Sequence, residues 1–558
     1  MKKIQEVAAR IGITDDQLLP YGHYKAKVIP QWNEDKIKKG KLILVTAISP
    51  NKAGVGKTTT SVALSMGMNR IGKKAALALR EPSLGPCFGM KGGATGGGRV
   101  TVEPSDDINL HFNGDFHAIT SANNTLAALV DNYNFYTKGL PHSLRQVLWK
   151  RVLDVNDRSL RNIITGLDGN GNPGETGFDI TAASEIMAIF SLAKDMDDLR
   201  RRIDNILLGY TNEKKPFYVK DLRVGGAITA LLKDALLPNL VQDVDGGPAF
   251  VHGGPFANIA HGCNSIIATR MALQYGDYAI TEAGFGADLG AEKFMNIKCR
   301  VAGLQPALSV LVATTLSLKL HGGALEGALK QPNMDALKKG MENLDRHLDI
   351  MLSFGQTVVV AINRFISDTD EEIAYIRNWC AERGVKCATH SGFADGAAGV
   401  EELATLVVNE IETNPSKPLI NTYAFEDSIE TKLTNIVTRV YKGTGIVLSK
   451  KAESSLRKIN ETGLNSLPVC IAKTQYTFSA DAGDPHDITD FFLPVEDLVI
   501  NTGAGFIVAV CGEMMRMPGL PKEPQALHID VVNGQITGVS DPTPVAMATT
   551  PAQVEAKD

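Results

Sequence analysis

The sequence predicts an α/β fold: a doubly wound, mostly parallel sheet core with two smaller α/β domains. Three observations carry this. Short apolar runs suited to buried strands alternate with helical patterns through most of the 558 residues. The first of these runs, Leu42 to Val45, leads within a few residues to a glycine-rich loop and a helix-like segment, Ser61 to Met66. Later runs end in glycine and polar clusters, as strands do where an open sheet meets a ligand crevice.

The elements follow in order. Ala75 to Leu79 reads as a second strand, Ile108 to Phe112 as a third, and Ala118 to Asp131 as a helix. Residues 143–235 read as mostly helical, broken by the polar turn Asp168 to Thr176. Val310 to Thr315 and Thr357 to Ile362 read as later strands of the same sheet, which puts Asn363 and Arg364 at a strand end. Residues 1–365 are therefore expected to form the main domain with helical insertions. Residues 366–417 form a small α/β domain with the turn Gly392 to Gly399, and residues 418–540 a mixed C-terminal α/β domain with a strand at Ile507 to Val510. The Pro-, Ala- and Thr-rich stretch 541–558 reads as a loose tail.

Composition narrows the class. A net charge of −5 with scattered Lys and Arg gives no global attraction to nucleic acid. Seven cysteines show no CxxC pair and no metal-ligand spacing, as expected of reduced thiols. Met1 to Glu6 lacks the apolar segment of a signal peptide, and no apolar run reaches membrane-spanning length. The expectation is a cytoplasmic protein with no membrane or nucleic-acid partner.

The loop Asn51, Lys52, Ala53, Gly54, Val55, Gly56, Lys57, Thr58 sits between the first strand and its helix. That is the layout of a phosphate-binding P-loop and makes the core P-loop NTPase-like. Glycines let backbone N–H groups turn toward phosphate oxygens, and the helix N-terminus favours negative charge. Lys57 is placed to neutralise the β- and γ-phosphates, and Thr58 to offer its hydroxyl to Mg²⁺. Asn51 stands where the first glycine of the motif is usual.

Arg80 and Glu81 follow the second strand directly, which in a doubly wound sheet puts Arg80 beside the loop. An arginine there grips a phosphoryl group or a carboxylate in a bidentate fork; a salt bridge to Glu81 is the structural alternative. Asp115 follows Asn113 and Gly114, where it either holds hydrated Mg²⁺, steers a substrate amine, or makes an ordinary Asp turn. Gly92 to Gly98 fits a loop that packs tightly or closes over a ligand. His252 to Gly262 and Thr281 to Asp288 are two further glycine and polar clusters suited to lining the same cleft. His252 and His261 fit no zinc spacing, and Cys87 has no evident paired base.

Long stretches then resemble one family. REPSLGPCFGMKGGATGGG from Arg80, DINLHFNGDFHAITSANN from Asp107, FVHGGPFANIAHGCNS from Phe250, TEAGFGADLGAEKF from Thr281 and MPGLPK from Met517 resemble the monofunctional bacterial formate–tetrahydrofolate ligases, also called 10-formyltetrahydrofolate synthetases. The resemblance covers about residues 40–540. It implies an ATP-dependent carbon–nitrogen ligase in which formate attacks the γ-phosphate of MgATP and the N10 amine of tetrahydrofolate takes the formyl group from formyl phosphate. It implies Lys57, Arg80 and Asp115 as catalytic residues, with Asp115 near the reacting amine. Arg80 and Glu81 contact substrate, and the folate ring lies between aromatic side chains at Phe365 and Phe393. It further implies a homotetramer and activation by a monovalent cation, K⁺ or NH₄⁺. A pterin stacked on a ring gains on the order of 1–3 kcal/mol by analogy with base stacking.

The chain departs from the family pattern in several places, the segment Asp481 to Ile488 among them. Val55 stands where Glu is usual, and Lys52 makes the loop similar to that of partitioning-type ATPases. Phe393 stands where Trp is usual, which keeps a stacking face but loses the indole N–H. Asp395 reverses the charge of a usual Lys. Two alternatives to the ligase therefore stand: a related carboxylate-activating ligase with a changed acceptor, and a P-loop ATPase switch or binding protein without ligase chemistry.

Overall fold

A large, mostly parallel sheet organises the chain. The structure is a computed structural model and describes residues 1–51, 54–90, 93–485, 487–512 and 514–539. Ten strands make the main path: Leu18–Tyr21 (β1), Lys25–Val28 (β2), Lys41–Ala47 (β3), Ala75–Leu79 (β4), Asn239–Asp243 (β5), Pro248–Val251 (β6), Tyr278–Glu282 (β7), Pro306–Ala313 (β8), Val358–Asn363 (β9) and Lys386–His390 (β10). Their spatial order is β1-β2-β5-β6-β4-β7-β3-β8-β9-β10. From β6 to β10 every pairing is parallel, while β1, β2 and β5 add antiparallel strands at one edge. Gly96–Gly97 and Val100–Glu103 form a short arm paired to β5.

The central strands are apolar on both faces because helices cover both. β3, β4 and β9 are buried along almost their whole length. The helix Lys57–Arg70 (α1) packs beneath the sheet and is buried from Thr60 to Met68. Gly67 lets it approach Val400 and Ala404 closely: a Cβ there would lie 3.2 and 3.3 Å from their Cβ atoms. The C-terminal part has its own four-stranded sheet, ordered Gly445–Leu448, Phe492–Asn501, Phe506–Cys511, Val469–Ala472. A buried Lys473–Asp288 ion pair at 2.9 Å ties it to the main body.

Two expectations need correction. Ile108 to Phe112 is not a strand: Ser105–Asn109 is a short helix with Asp106 and Asp107 in its first turn, and Phe112 sits at φ 44°. The acidic first turn and the left-handed residue both oppose an extended conformation. Residues 143–235 are not mostly helical either. Seven short strands, from Leu144–Val147 to Pro216–Tyr218, alternate with helices there. The segment 366–417 contributes β10 to the edge of the large sheet. The tail 541–558 lies outside the described residues.

Candidate functional site

The carboxyl ends of the parallel strands gather nearly every residue singled out from the sequence. β3 ends at Ala47 and runs through Ser49 into the glycine-rich loop. Gly54 and Gly56 have φ of 83° and 73°, a region open to glycine at little cost. Gly56 is the N-cap of α1, so Lys57 and Thr58 occupy its first turn. Val55 is buried in the main core cluster, so an apolar side chain anchors the loop. Asn51 is buried, and its Oδ1 has no hydrogen-bond partner among the described residues. Lys52 and Ala53 lie outside the described residues.

β4 delivers Arg80 and β7 delivers Glu282 to the same place. Thr58 Oγ1 donates to Glu282 Oε2 at 2.9 Å, and Arg80 Nη2 reaches Glu282 Oε1 at 3.5 Å. Arg80 is part-exposed; its Nη1 donates to the Pro255 carbonyl at 3.2 Å, and its Nε is buried without a partner. The two glycine and polar clusters meet here as the sequence suggests. Gly284 N–H donates to the Gly262 carbonyl at 3.0 Å, and a Cβ on Gly284 would lie 2.9 Å from Arg80 Nη1. His261 is fully buried with neither ring nitrogen partnered. Burial, then the charges of Lys298, Lys293 and Arg80, push its pKa down to about 3.

Asp115 and Glu81 form a second, deeper cluster. Asp115 begins the helix Asp115–Tyr136 (α2) and is buried. Lys27 Nζ donates to its Oδ1 at 2.7 Å and Asn239 Nδ2 to its Oδ2 at 2.7 Å. Burial and then the neighbouring Asp115 charge raise the Glu81 carboxyl well above its ordinary range, and a hydrogen bond to Asp115 adds to the rise. Held toward its neutral form, Glu81 can donate to Asp115, and the single Lys27 charge then faces the pair. His252 Nε2 lies 4.0 Å from Asp115 and 2.8 Å from the Ala235 carbonyl, and burial lowers its pKa to about 4.

Phe365 and Phe393 occupy neighbouring strand ends. Asn363 of β9 and His390 of β10 are register partners, and the aromatic residues follow two and three positions later. Phe365 is 37 % exposed, Phe393 51 %, and Ile366 fully exposed, an apolar group on a surface that otherwise has reason to be polar. The Phe365 N–H donates to Asp368 Oδ2 at 2.8 Å, which fixes its turn. Phe393 lies against the glycine arm: a Cβ on Gly97 would sit 3.0 Å from its Cε2, and the Arg99 N–H donates to its carbonyl at 3.0 Å. Asp395 accepts from Ser391 Oγ at 2.6 Å within the same turn. The stretch from Met517 packs instead on residues 157–161, with Arg161 Nε donating to the Met517 carbonyl at 2.9 Å.

Sequence reasoning assigned no role to Glu282, Lys27 or His390. Glu282 was visible inside a quoted cluster, whereas Lys27 lies in a short strand whose neighbours give no signal. Among the described residues no group of three or more His, Cys, Asp or Glu side chains forms a metal cage, and no helix is long and apolar enough to cross a membrane.

Comparison with known proteins agrees with the resemblance. The family model described as formate–tetrahydrofolate ligase matches residues 1–540. A relative of that name from Parabacteroides distasonis is 60 % identical over 543 residues, covering 97 % of this chain and 98 % of its own. Others from Bacteroides fragilis and Porphyromonas gingivalis are 59 % and 58 % identical with the same coverage. A match that runs almost end to end, through every strand that feeds the site, leaves one conclusion: the chain belongs to the formate–tetrahydrofolate ligase family.

Proposed function

We propose that this protein ligates formate to tetrahydrofolate at the expense of ATP, giving 10-formyltetrahydrofolate, ADP and phosphate. The observation that carries the reading is the convergence of Thr58, Arg80 and Glu282 at the mouth of a glycine loop and helix N-terminus. The loop residues Asn51 to Thr58 bind the phosphates in P-loop fashion, with backbone N–H groups and Lys57 supplying positive charge. The oxygens of Thr58 and Glu282, 2.9 Å apart, fit Mg²⁺ directly or through water. Bound there, Mg²⁺ neutralises phosphoryl charge.

In the first step a formate oxygen bonds to the γ-phosphorus and the bond to the ADP oxygen breaks, giving formyl phosphate. Lys57 and Arg80 stabilise the charge that develops, a contribution of roughly 10³–10⁵ in rate for an arginine in such a position. In the second step N10 attacks the formyl carbon, loses its proton and expels phosphate. Both oxygens of Asp115 are engaged, so its part is to hold Glu81 and the Arg80 segment rather than to touch the amine. The monovalent cation expected from the resemblance, K⁺ or NH₄⁺, finds no fitting site at this pair: Lys27 already balances Asp115 and the Glu81 carboxyl is pushed toward its neutral form. Phe365 and Phe393 present exposed rings for the pterin. The homotetramer expected from the resemblance is supported by exposed apolar side chains along residues 135–167, among them Tyr136, Ile164 and Leu167.

The test is product formation from MgATP, formate and tetrahydrofolate. Lys57→Ala and Arg80→Ala are expected to lower turnover at least about 10³-fold with the fold retained. ATP hydrolysis indifferent to formate and folate would sink the ligase reading in favour of an ATPase switch.

A further inference from the structure

Two side chains tie the glycine loop to the strand ends that carry the aromatic rings. Asn363, the last residue of β9, donates from Nδ2 to the Val55 carbonyl at 3.2 Å. Its amide fills the space that a Cβ on Gly56 would occupy. Phe365 follows two residues later. On the next strand, His390 closes β10 with its Nε2 3.1 Å from Thr60 Oγ1. Thr60 Oγ1 itself donates to the Gly56 carbonyl at 2.9 Å, so its proton is spent and the imidazole must be the donor. Nδ1 then carries the lone pair, and it faces the Gly392 N–H at 3.5 Å, one residue before Phe393. Burial keeps this imidazole neutral, pushing its pKa down to about 4. The result is a directed chain: Gly392 N–H, His390, Thr60, Gly56 carbonyl. The two strand ends are also tied to each other, since the Arg364 N–H donates to the His390 carbonyl at 3.0 Å.

The loop between Gly54 and Gly56 cannot change shape without disturbing both ties. On the reading that the loop holds nucleotide and the rings hold pterin, we propose that Asn363 and His390 are positioning residues that couple nucleotide occupancy to the geometry of the folate platform. Neither touches a substrate. Each transmits the set of the loop to one ring: Asn363 to Phe365, and His390, through Thr60, to Phe393. The coupling is reciprocal, because a linkage between two binding equilibria has one value whichever ligand comes first.

The experiment measures that linkage on the full chain. Tetrahydrofolate is titrated with and without saturating MgADP, and MgADP with and without tetrahydrofolate. In the unmodified protein each ligand is expected to tighten the other by the same factor, about 5-fold or more. Thr60→Val keeps the side-chain shape and removes only the hydroxyl; it and Asn363→Ala are expected to bring the factor to within about twofold of one. His390→Phe does the same, and His390→Gln, which retains a donor, recovers part of the coupling. A merely structural role would lower the melting temperature or both affinities and leave the factor intact. A factor of one in the unmodified protein, or an undiminished factor in both Thr60→Val and Asn363→Ala, overturns the proposal. Failure of the unmodified protein to bind MgADP or tetrahydrofolate at all would instead overturn the functional reading beneath it.

Discussion

Lys27 shows how much one buried side chain can hold. Its ammonium, 2 % exposed, sits 2.7 Å from Asp115 in a pocket that also contains Glu81 and His252. Removing one partner of a buried pair strands the other charge, at about 3–5 kcal/mol. Lys27→Met should therefore destabilise the protein by that amount in urea unfolding. A loss below about 1 kcal/mol would show that Asp115 does not need the charge. Lys57, Thr58 and Arg80 were legible in the sequence because their chemistry is local to a loop or a strand end. Lys27 and Glu282 were not. Thr58 and Glu282 are 224 residues apart and Lys27 and Asp115 are 88 apart, so only the tertiary fold makes them partners.

Among the elements, the glycine arm is the most constrained. Gly98 has φ 60°, and a Cβ there would collide with the Phe393 carbonyl oxygen and lie 2.9 Å from its Cγ. Gly98→Ala should displace Phe393 and weaken folate binding about tenfold or more, which corresponds to about 1.4 kcal/mol. Gly12→Ala is the control: Gly12 has φ 81° but nothing within 4 Å of its would-be Cβ. It should cost about 1 kcal/mol of stability and leave folate affinity unchanged. Equal folate affinity in Gly98→Ala and the parent would remove Phe393 from the pocket. At this scale the sequence speaks clearly where a run of consecutive residues is apolar, as Leu42 to Val45 in β3 and Val358 to Ile362 in β9, because only a strand covered on both faces suits it. It misleads at Ile108 to Phe112, where the acidic start of a short helix ending at Asn109 and the turn that follows it, with Phe112 at φ 44°, displace the expected strand. It also misleads over residues 143–235, where three- to five-residue strands are too short for a period to show.

For the whole molecule, buried ionisable groups set the response to pH. His252, His347 and His390 are pushed down to about 4 and His261 to about 3 by burial. The unfolded chain would protonate each near 6.5, so these groups lose stability as pH falls below that value. Buried acids act the other way. Asp154 and Asp243 are raised to about 6, and Glu185 and Glu292 to about 7. Between their unfolded values near 4 and these raised ones, the folded protein holds the extra protons, so acidification there favours folding. The four histidines and these acids, with Glu81 acting in the same direction as the acids, nearly cancel from about pH 6.5 to 4.5. The melting temperature should be nearly flat over that range. Below about pH 4 the folded imidazoles take up protons as well, so the further loss comes from carboxylates held below their ordinary range, such as Asp198 and Glu372. A steep fall already between pH 6.5 and 5 would show that the imidazoles prevail.

The order of strands has a consequence for synthesis. β7 lies between β4 and β3 and pairs with both. A ribosome therefore releases β3 and β4 about two hundred residues before the strand that joins them exists. At about 5–20 residues per second the interval is on the order of 10–40 s. Through that time the newborn chain carries two largely apolar strands, each with a bare hydrogen-bonding edge where their shared neighbour will sit. Such edges recruit other chains. Nascent chains arrested before Tyr278 should thus bind general chaperones strongly, and those extended past Glu282 should let go.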